Sequence, residues 1–362
     1  MGKIEEHINT IFAYDSQNYI FVYTPPKVGS TTLVTSLRIS LGKSYNVIHI
    51  HDDVMLHVLT GCNDITVNDI IAYLSNQGKN VFVIDIYRTP IERKMSEFFE
   101  KISPYHFNNV EENISKYSIA RISNRFNKLF PHLGSGEHYF DKYNIKEPPV
   151  VYDFNKKYTI QEVDNIKYVK IRLCDSSIWN EILSTILQAD IVLINDYQTD
   201  SKQLAELYKK FKHEYILPSN YFDMISNCKY LHFYYSEKER TDYLNQWKNK
   251  LTERAIPYTE TEYNFYVVLY LENQHINDIQ TEHYIDNSCY CNLCTNKRRQ
   301  IYLKAKRGEK ITDKITHDEL VNENIQKKNT KMIEVIKKKI CEKNVSNTKF
   351  TPKQFGINIT YK

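Results

Sequence analysis

The sequence predicts an α/β fold in which a parallel sheet is flanked by helices, followed by a helix-rich extension that contains cysteines. Short apolar runs typical of buried strands alternate with helical patterns over most of the chain. A glycine-containing turn joins the first apolar run to the first helical pattern. Beyond residue 255 a cysteine cluster and a Lys-, Glu- and Asn-rich tail appear. We therefore expect an α/β domain over residues 1–255 and an extension over residues 256–362.

The elements follow from the apolar spacing and from helix-capping residues. Strands are predicted at residues 19–24, 47–51, 80–87, 168–172, 190–195 and 263–271. Helices are predicted at residues 30–40, 67–76, 90–102, 111–130, 176–187, 201–211, 236–250 and 329–343. Thr89, Pro90 and Glu92 predict a capping box at the start of one helix. Residues 132–165 are loop-rich and predict a lid or a hairpin insertion.

The turn after the first strand has the composition of an anion site. The first amides of a helix have no internal partner, and the helix dipole favours negative charge beside them. Gly29 allows the backbone to approach a phosphate closely, and Lys27 adds a positive charge. The G-x-x-x-x-G-K-[ST] pattern is missing, which disfavours a generic nucleoside-triphosphate hydrolase.

The segment Pro26-Lys-Val-Gly-Ser-Thr-Thr32 resembles the 5′-phosphosulfate loop of sulfotransferases that use 3′-phosphoadenosine 5′-phosphosulfate (PAPS). The resemblance implies the P-loop-like sulfotransferase fold. It also implies that the loop holds the 5′-phosphosulfate and that Lys27 neutralises charge on the bridging oxygen. The implied binding residues are Lys27, Val28, Gly29, Ser30, Thr31 and Thr32. The alternative is a strand-to-helix turn whose hydroxyl residues occur by chance.

A second run strengthens the resemblance. The third predicted strand is followed by Arg88, Pro90, Arg93 and Ser96, in an order similar to the run with which sulfotransferases hold the 3′-phosphate. The resemblance assigns that role to Arg88 and Ser96. The planar guanidinium of arginine suits phosphate because it binds two oxygens at once. The alternative is a capped amphipathic helix with surface arginines.

Two histidines mark the end of the second predicted strand. His49 and His51 are two residues apart, so they point to the same side of a strand, opposite Ile48 and Ile50. Histidine beside a phosphate loop suggests proton transfer. In the resembling oligosaccharide sulfotransferases this strand supplies the general base. We expect His49 or His51 to be that base, with a slight preference for His49; a structural pair, or Asp52 or Asp53 as the base, stays open.

Together these resemblances imply a sulfotransferase that moves the sulfuryl group of PAPS to a hydroxyl, leaving 3′-phosphoadenosine 5′-phosphate (PAP). The expected catalytic residues are Lys27, His49 and His51, and no metal is expected in the active site. A glycan or glycoconjugate is the expected acceptor. Two alternatives remain, a nucleotide or phosphometabolite kinase with a degenerate P-loop and a non-catalytic nucleotide-binding scaffold.

The extension contains a C-x-C-x-x-C cluster formed by Cys289, Cys291 and Cys294, with His283 upstream. Three thiolates and one imidazole suit a tetrahedral zinc ion, so these four residues form a candidate structural zinc site. Free thiols and redox chemistry are the alternatives.

Composition restricts the partners and the compartment. The net charge of +4 is too small to predict a nucleic-acid partner, and no apolar run long enough for a membrane span or a signal peptide occurs. Seven cysteines, an odd number, favour a reducing, cytoplasmic compartment. Abundant Ile, Asn, Lys and Tyr indicate an AT-rich genome and suggest a viral or protist origin.

Overall fold

The computed structural model describes residues 4–5, 8, 11, 14–61, 64–134, 142–195, 204–270, 289–313, 315 and 317–344. Its main sheet has five strands in the order β2-β1-β3-β5-β4. These strands are β1 (Asn18–Tyr23), β2 (Asn46–Ile50), β3 (Asn80–Tyr87), β4 (Tyr158–Val163) and β5 (Ile166–Arg172). The first three strands and β5 run parallel, and β4 pairs antiparallel with β5 at the edge. The predicted α/β class with a mostly parallel sheet flanked by helices is confirmed.

Fourteen α-helices are assigned among the described residues. In the first half of the chain they are α1 (Ser30–Leu41), α2 (Asp53–Thr60), α3 (Val67–Asn76), α4 (Pro90–Glu100), α5 (Glu111–Ile114) and α6 (Ile119–Leu129). They continue with α7 (Trp179–Leu187), α8 (Ala205–Glu214), α9 (Ser219–Ser226), α10 (Lys229–Tyr234) and α11 (Glu237–Lys248). The last three are α12 (Glu260–Tyr270), α13 (Asn292–Lys306) and α14 (His317–Asn344). Two short strands, β6 (Leu217–Pro218) and β7 (Leu251–Thr252), pair between α8 and α12.

The sheet is covered on both faces, as a parallel sheet must be to bury its apolar strands. Helices α1 and α7 pack on one face, where Val22 and Ile84 are buried. Helices α2 and α3 pack on the other face, where Phe21 and Ile50 are buried. A third core, rich in aromatic residues, lies among α4, α6 and the helices from α8 to α11.

Several sequence predictions agree closely with these elements. β3 and α3 have the predicted bounds, and Ile48 and Ile50 face the side opposite to Val47, as the alternation predicts. Of the lid or hairpin insertion expected over 132–165, the described residues contain one strand, β4, whose hairpin partner β5 lies outside that range. Asp164 and Asn165 form the turn between β4 and β5 with φ of 50° and 63°, the left-handed conformation that two-residue hairpin turns require.

Four local predictions are wrong. The helix over 111–130 is two helices, because Ser118 caps a new one by accepting from the Arg121 amide. No side chain caps α4, because Glu92 accepts from the Tyr243 hydroxyl instead of completing a capping box. Residues 190–195 form no strand, although Ile191, Val192 and Ile194 are buried. The strand at 263–271 is replaced by α12, for which Thr259 and Glu262 form a capping box.

The C-terminal elements pack onto the α/β body. Tyr266 of α12 is buried in the aromatic core, and Cys294 and Ile301 of α13 pack with Ile39 of α1. The proposed division at residue 255 stays a prediction. Among the described helices, none combines the length and the apolar character that a membrane crossing requires.

Candidate active site

The strand order reverses between β1 and β3, and the space at the carboxyl ends of these two strands is the candidate ligand crevice. The chain leaves β1 through α1 on one face and reaches β3 through α2 and α3 on the other face. In open α/β sheets, ligands bind where the strand order reverses in this way. Here the loop after β1 and the residues after β3 meet, and Arg88 Nη1 donates to the carbonyl oxygen of Lys27 over 2.8 Å.

The loop between β1 and α1 has the backbone of an anion-binding turn. Lys27 and Gly29 have φ of 69° and 90°, and Gly29 is the residue that precedes α1. Since glycine has no side chain, no side-chain cap occupies the first amides of α1. A Cβ atom on Gly29 would lie 2.8 Å from Leu173 Cδ1 and 3.4 Å from Trp179, so packing also requires glycine there.

Lys27 is held by an acidic partner on α4. Its ammonium lies 2.6 Å from Glu100 Oε1, with the lysine side chain 14% exposed and the glutamate 32% exposed. The pair therefore lies at the edge of the crevice. A lysine in this position is a mobile positive charge that can exchange its carboxylate partner for a bound anion.

The two histidines differ in their contacts. His49 is buried, and its Nε2 lies 2.9 Å from the hydroxyl of Ser30, the first residue of α1. His51 is half-buried, and its Nδ1 lies 2.7 Å from the carbonyl oxygen of Thr24. The rings are in edge-to-face contact, with centroids 4.6 Å apart. Because a carbonyl oxygen only accepts, Nδ1 of His51 carries the proton and Nε2 carries the lone pair.

Burial lowers the pKa of His51 to about 4, and the positive charge of Lys27 acts in the same direction. The imidazole is therefore neutral at pH 7. A neutral imidazole with an accepting Nε2 at the end of a strand is able to take a proton from a hydroxyl.

The helix after β3 carries two buried basic residues, of which Lys94 donates to the carbonyl oxygen of Leu133. Arg88 is half-buried at the end of β3, and Ser96 is half-buried in the second turn of α4. Arg93 is 3% exposed and Lys94 is 8% exposed. The expected alternative of surface arginines on this helix is therefore wrong for Arg93.

Lys142 was not predicted from the sequence. Its ammonium donates to the carbonyl oxygen of His51 over 3.3 Å, and burial lowers its pKa. Asp52 and Asp53, the alternative candidates for the base, accept from the amides of Met55 and Val67 and so serve as helix caps. Lys142 thus adds a cation to the crevice from a segment remote in sequence from the phosphate loop.

A buried ion pair lies in the sheet next to this edge. Lys170 Nζ on β5 is 3.4 Å from Asp85 Oδ2 on β3, and Lys170 also lies 4.1 Å from the centroid of the Tyr143 ring. Burial raises the pKa of Asp85 and lowers that of Lys170 to about 8. Tyr143 donates to the carbonyl oxygen of Tyr23, which connects the pair to the start of the loop after β1.

A second cluster lies at the other end of α1. The sulfur atoms of Cys289, Cys291 and Cys294 converge on Nδ1 of His317, the first residue of α14. Hydrogen bonding from the Cys294 amide lowers the pKa of the Cys291 thiol to about 6. His283, the expected fourth member, lies outside the described residues, and His317 was not predicted from the sequence.

The chain matches no protein-family model, no curated protein and no solved structure. The site combines an uncapped helix N-terminus, several cations and a neutral histidine at the carboxyl edge of a parallel sheet. This combination suits binding of a phosphorylated ligand and proton transfer beside it.

Proposed function

We propose that the protein is a PAPS-dependent sulfotransferase that acts on a hydroxyl acceptor, with a carbohydrate as the acceptor class. The observation that carries the proposal is the hydrogen bond from Arg88 to the backbone of Lys27. It joins the two segments whose residues resemble the 5′-phosphosulfate loop and the 3′-phosphate run. A ligand with phosphates at both the 5′ and 3′ positions needs both segments side by side.

The residues of the crevice fit such a ligand. The first amides of α1 follow a glycine and have no side-chain cap, so they suit a bound phosphate. The hydroxyl of Thr24 is buried without a hydrogen-bond partner among the described residues. Buried polar groups are rarely left unpaired, so an unpaired hydroxyl next to the loop supports a ligand there.

Each residue then has a distinct role. PAPS supplies the sulfuryl group. Lys27 moves from Glu100 to the phosphosulfate and offsets the negative charge that develops on the bridging oxygen. The amides of residues 28–32, with the hydroxyls of Ser30, Thr31 and Thr32, hold the 5′ end. Arg88 and Ser96 hold the 3′-phosphate. PAPS is thereby fixed in one orientation relative to the acceptor, which increases the rate.

We assign the general base to His51 in preference to His49. Nε2 of His49 is hydrogen-bonded to the hydroxyl of Ser30. Nε2 of His51 carries a lone pair, because Nδ1 of the same ring donates its proton to the carbonyl oxygen of Thr24. The acceptor oxygen forms a bond to sulfur while the bond from sulfur to the bridging oxygen breaks. The hydroxyl proton passes to Nε2 of His51, and PAP leaves with the bridging oxygen.

Calorimetric titration with PAP, and in parallel with ATP and Mg²⁺, tests the cofactor. We expect micromolar binding of PAP, much weaker binding of ATP, and a loss of about tenfold or more for Arg88→Ala, since a bidentate charged contact is removed. Arg254→Ala, at an exposed arginine, is the matched control and leaves PAP binding unchanged. Absence of PAP binding would reject the proposal, and preferential binding of ATP would support the kinase.

Turnover separates an enzyme from a scaffold. Transfer of radiolabelled sulfate from PAPS to a panel of oligosaccharides is expected for the wild type and lost in His51→Ala, which still binds PAP. His49→Ala is expected to retain more activity than His51→Ala. PAP binding without transfer to any hydroxyl acceptor in the wild type would favour the non-catalytic scaffold.

A further inference from the structure

We propose that Cys289, Cys291, Cys294 and His317 bind one Zn²⁺ ion as a structural centre that fastens α13 and α14 to the C-terminal end of α1. This inference is independent of the proposed sulfotransferase activity. The sequence-based ligand set had His283 as the fourth ligand. The proposed set has His317 in its place.

The spacing of the four ligand atoms is that of a tetrahedral zinc site. His317 Nδ1 lies 3.7 Å from Cys289 Sγ, 3.4 Å from Cys291 Sγ and 3.9 Å from Cys294 Sγ. All four atoms lie within 4.8 Å of one another. Zinc bonds of about 2.3 Å to sulfur and 2.0 Å to nitrogen place these atoms about 3.6 Å apart in a tetrahedron.

The ligand types select zinc and a structural role. Three thiolates and one imidazole in a tetrahedral arrangement are typical of zinc. The protein supplies all four ligands, which leaves no open position for water or substrate, and closed sites of this kind are structural.

A buried arginine offsets the charge of the centre. Three thiolates around Zn²⁺ carry one net negative charge. Arg298 is 3% exposed, its Nη1 donates to the carbonyl oxygen of Cys289, and its guanidinium lies 4.0 Å from the centroid of the Tyr290 ring. Groups around the ligands commonly fix them and tune the metal in this way.

The centre lies where the C-terminal helices meet the α/β body. Cys294 is fully buried and packs with Ile39, Ile301 and Ile315. Tyr290 is in edge-to-face contact with Tyr14, whose hydroxyl donates to the carbonyl oxygen of Tyr45. The ligands come from the start of α13 and the start of α14, so one ion holds both helices against the end of α1 that is remote from the phosphate loop.

The test uses the full chain expressed with added zinc. We expect one zinc per chain by mass spectrometry, and Co²⁺ in its place should give the visible spectrum of tetrahedral thiolate coordination. His317→Ala should weaken zinc binding by more than about 100-fold in competition with a chelator, since loss of a ligand exceeds the loss of a supporting group. A chelator should lower the melting temperature of the wild type and leave that of His317→Ala nearly unchanged.

Two variants serve as matched controls. His283→Ala and Cys174→Ser, at an exposed cysteine outside the cluster, should retain one zinc. A wild-type chain that takes up neither zinc nor Co²⁺ would overturn the proposal. Loss of zinc in His283→Ala with retention in His317→Ala would overturn the ligand set. If a variant fails to fold, the Co²⁺ spectrum of the wild type still shows whether the metal has tetrahedral thiolate coordination.

Discussion

The two ends of α1 have sites of opposite construction. At the N-terminal end, charged side chains from the residues that follow β1 and β3, from α4 and from residue 142 surround a loop whose own backbone supplies the proposed anion site. At the C-terminal end, three thiols lie within one short stretch and need a single distant histidine. The first arrangement depends on the tertiary placement of many charges, and the second depends on one ion if the proposed zinc centre is correct. Substitutions and a pH titration test this difference.

Lys170→Met tests how strongly the N-terminal site depends on the charges within the sheet. The change leaves Asp85 buried without its cation, and we expect the free energy of unfolding to fall by about 3–5 kcal/mol in urea titrations. Lys167→Met, at a half-buried lysine on the same strand, is the control and should cost less than about 1 kcal/mol. An equal loss of unfolding free energy in both variants would show that the Lys170–Asp85 pair contributes nothing specific to stability.

Gly29→Ala tests the backbone of the loop itself. Alanine would have to adopt φ of 90° with its Cβ 2.8 Å from Leu173, so we expect a loss of about 2–4 kcal/mol in stability together with loss of PAP binding. Gly78→Ala has a similar φ of 71° but open space around it, and should cost only about 1 kcal/mol with PAP binding intact. Similar losses of stability in the two variants would show that the contact between residue 29 and Leu173 does not determine the cost.

The pH dependence of stability tests the environment of His51. Its pKa is about 4 in the folded protein and about 6.5 when unfolded. Between these values the unfolded chain binds the additional proton, so stability falls as the pH drops from 6.5 toward 4. We expect His51 to contribute about 1–2 kcal/mol to the loss between pH 7 and pH 5. Urea titrations of the wild type and His51→Gln measure this contribution, with a chelator in both so that metal release adds nothing. The loss of unfolding free energy between pH 7 and pH 5 should be larger in the wild type by that amount. Parallel pH curves for the two proteins would refute the lowered pKa of His51.

Glu100→Gln has the smallest expected effect and the opposite direction. In the proposed site Glu100 competes with the bound anion for Lys27, so its neutralisation should tighten PAP binding by about two- to threefold in calorimetry. Glu112→Gln, at an exposed i,i+4 pair with Lys116, should change nothing. Weaker binding in Glu100→Gln would mean that the carboxylate positions Lys27 for the ligand.

The sequence predicted the parts of the molecule that depend on local chemistry. The bounds of β3 and the loop before α1 follow from contiguous residues. Residues 190–195 have an apolar pattern typical of a strand, but the amides of Val192 and Ile194 donate to Ser40 and Ser36 of α1 instead of to a neighbouring strand. The sequence of residues 190–195 alone does not distinguish a strand in the sheet from an extended segment that is hydrogen-bonded to a helix.

The same limit applies to the sites. Lys142 and Glu100 enter the crevice, and His317 joins the thiols, only because the tertiary fold brings distant segments together. Residues 263–271 show that a local pattern can also mislead. Their branched and aromatic residues favour a strand, but a capping box and the burial of Tyr266 in the aromatic core stabilise a helix.

The packing of Ile39 against α13 has a consequence for synthesis on the ribosome. Ile39 is synthesised long before Cys294 and Ile301, which cover it. Domains generally fold as they are synthesised, so this face of α1 stays uncovered while the sheet is being completed. A chain that ends before α13 would keep Ile39, Val192 and Ile194 exposed, and such an apolar patch is a point of attachment for chaperones or for other unfinished chains.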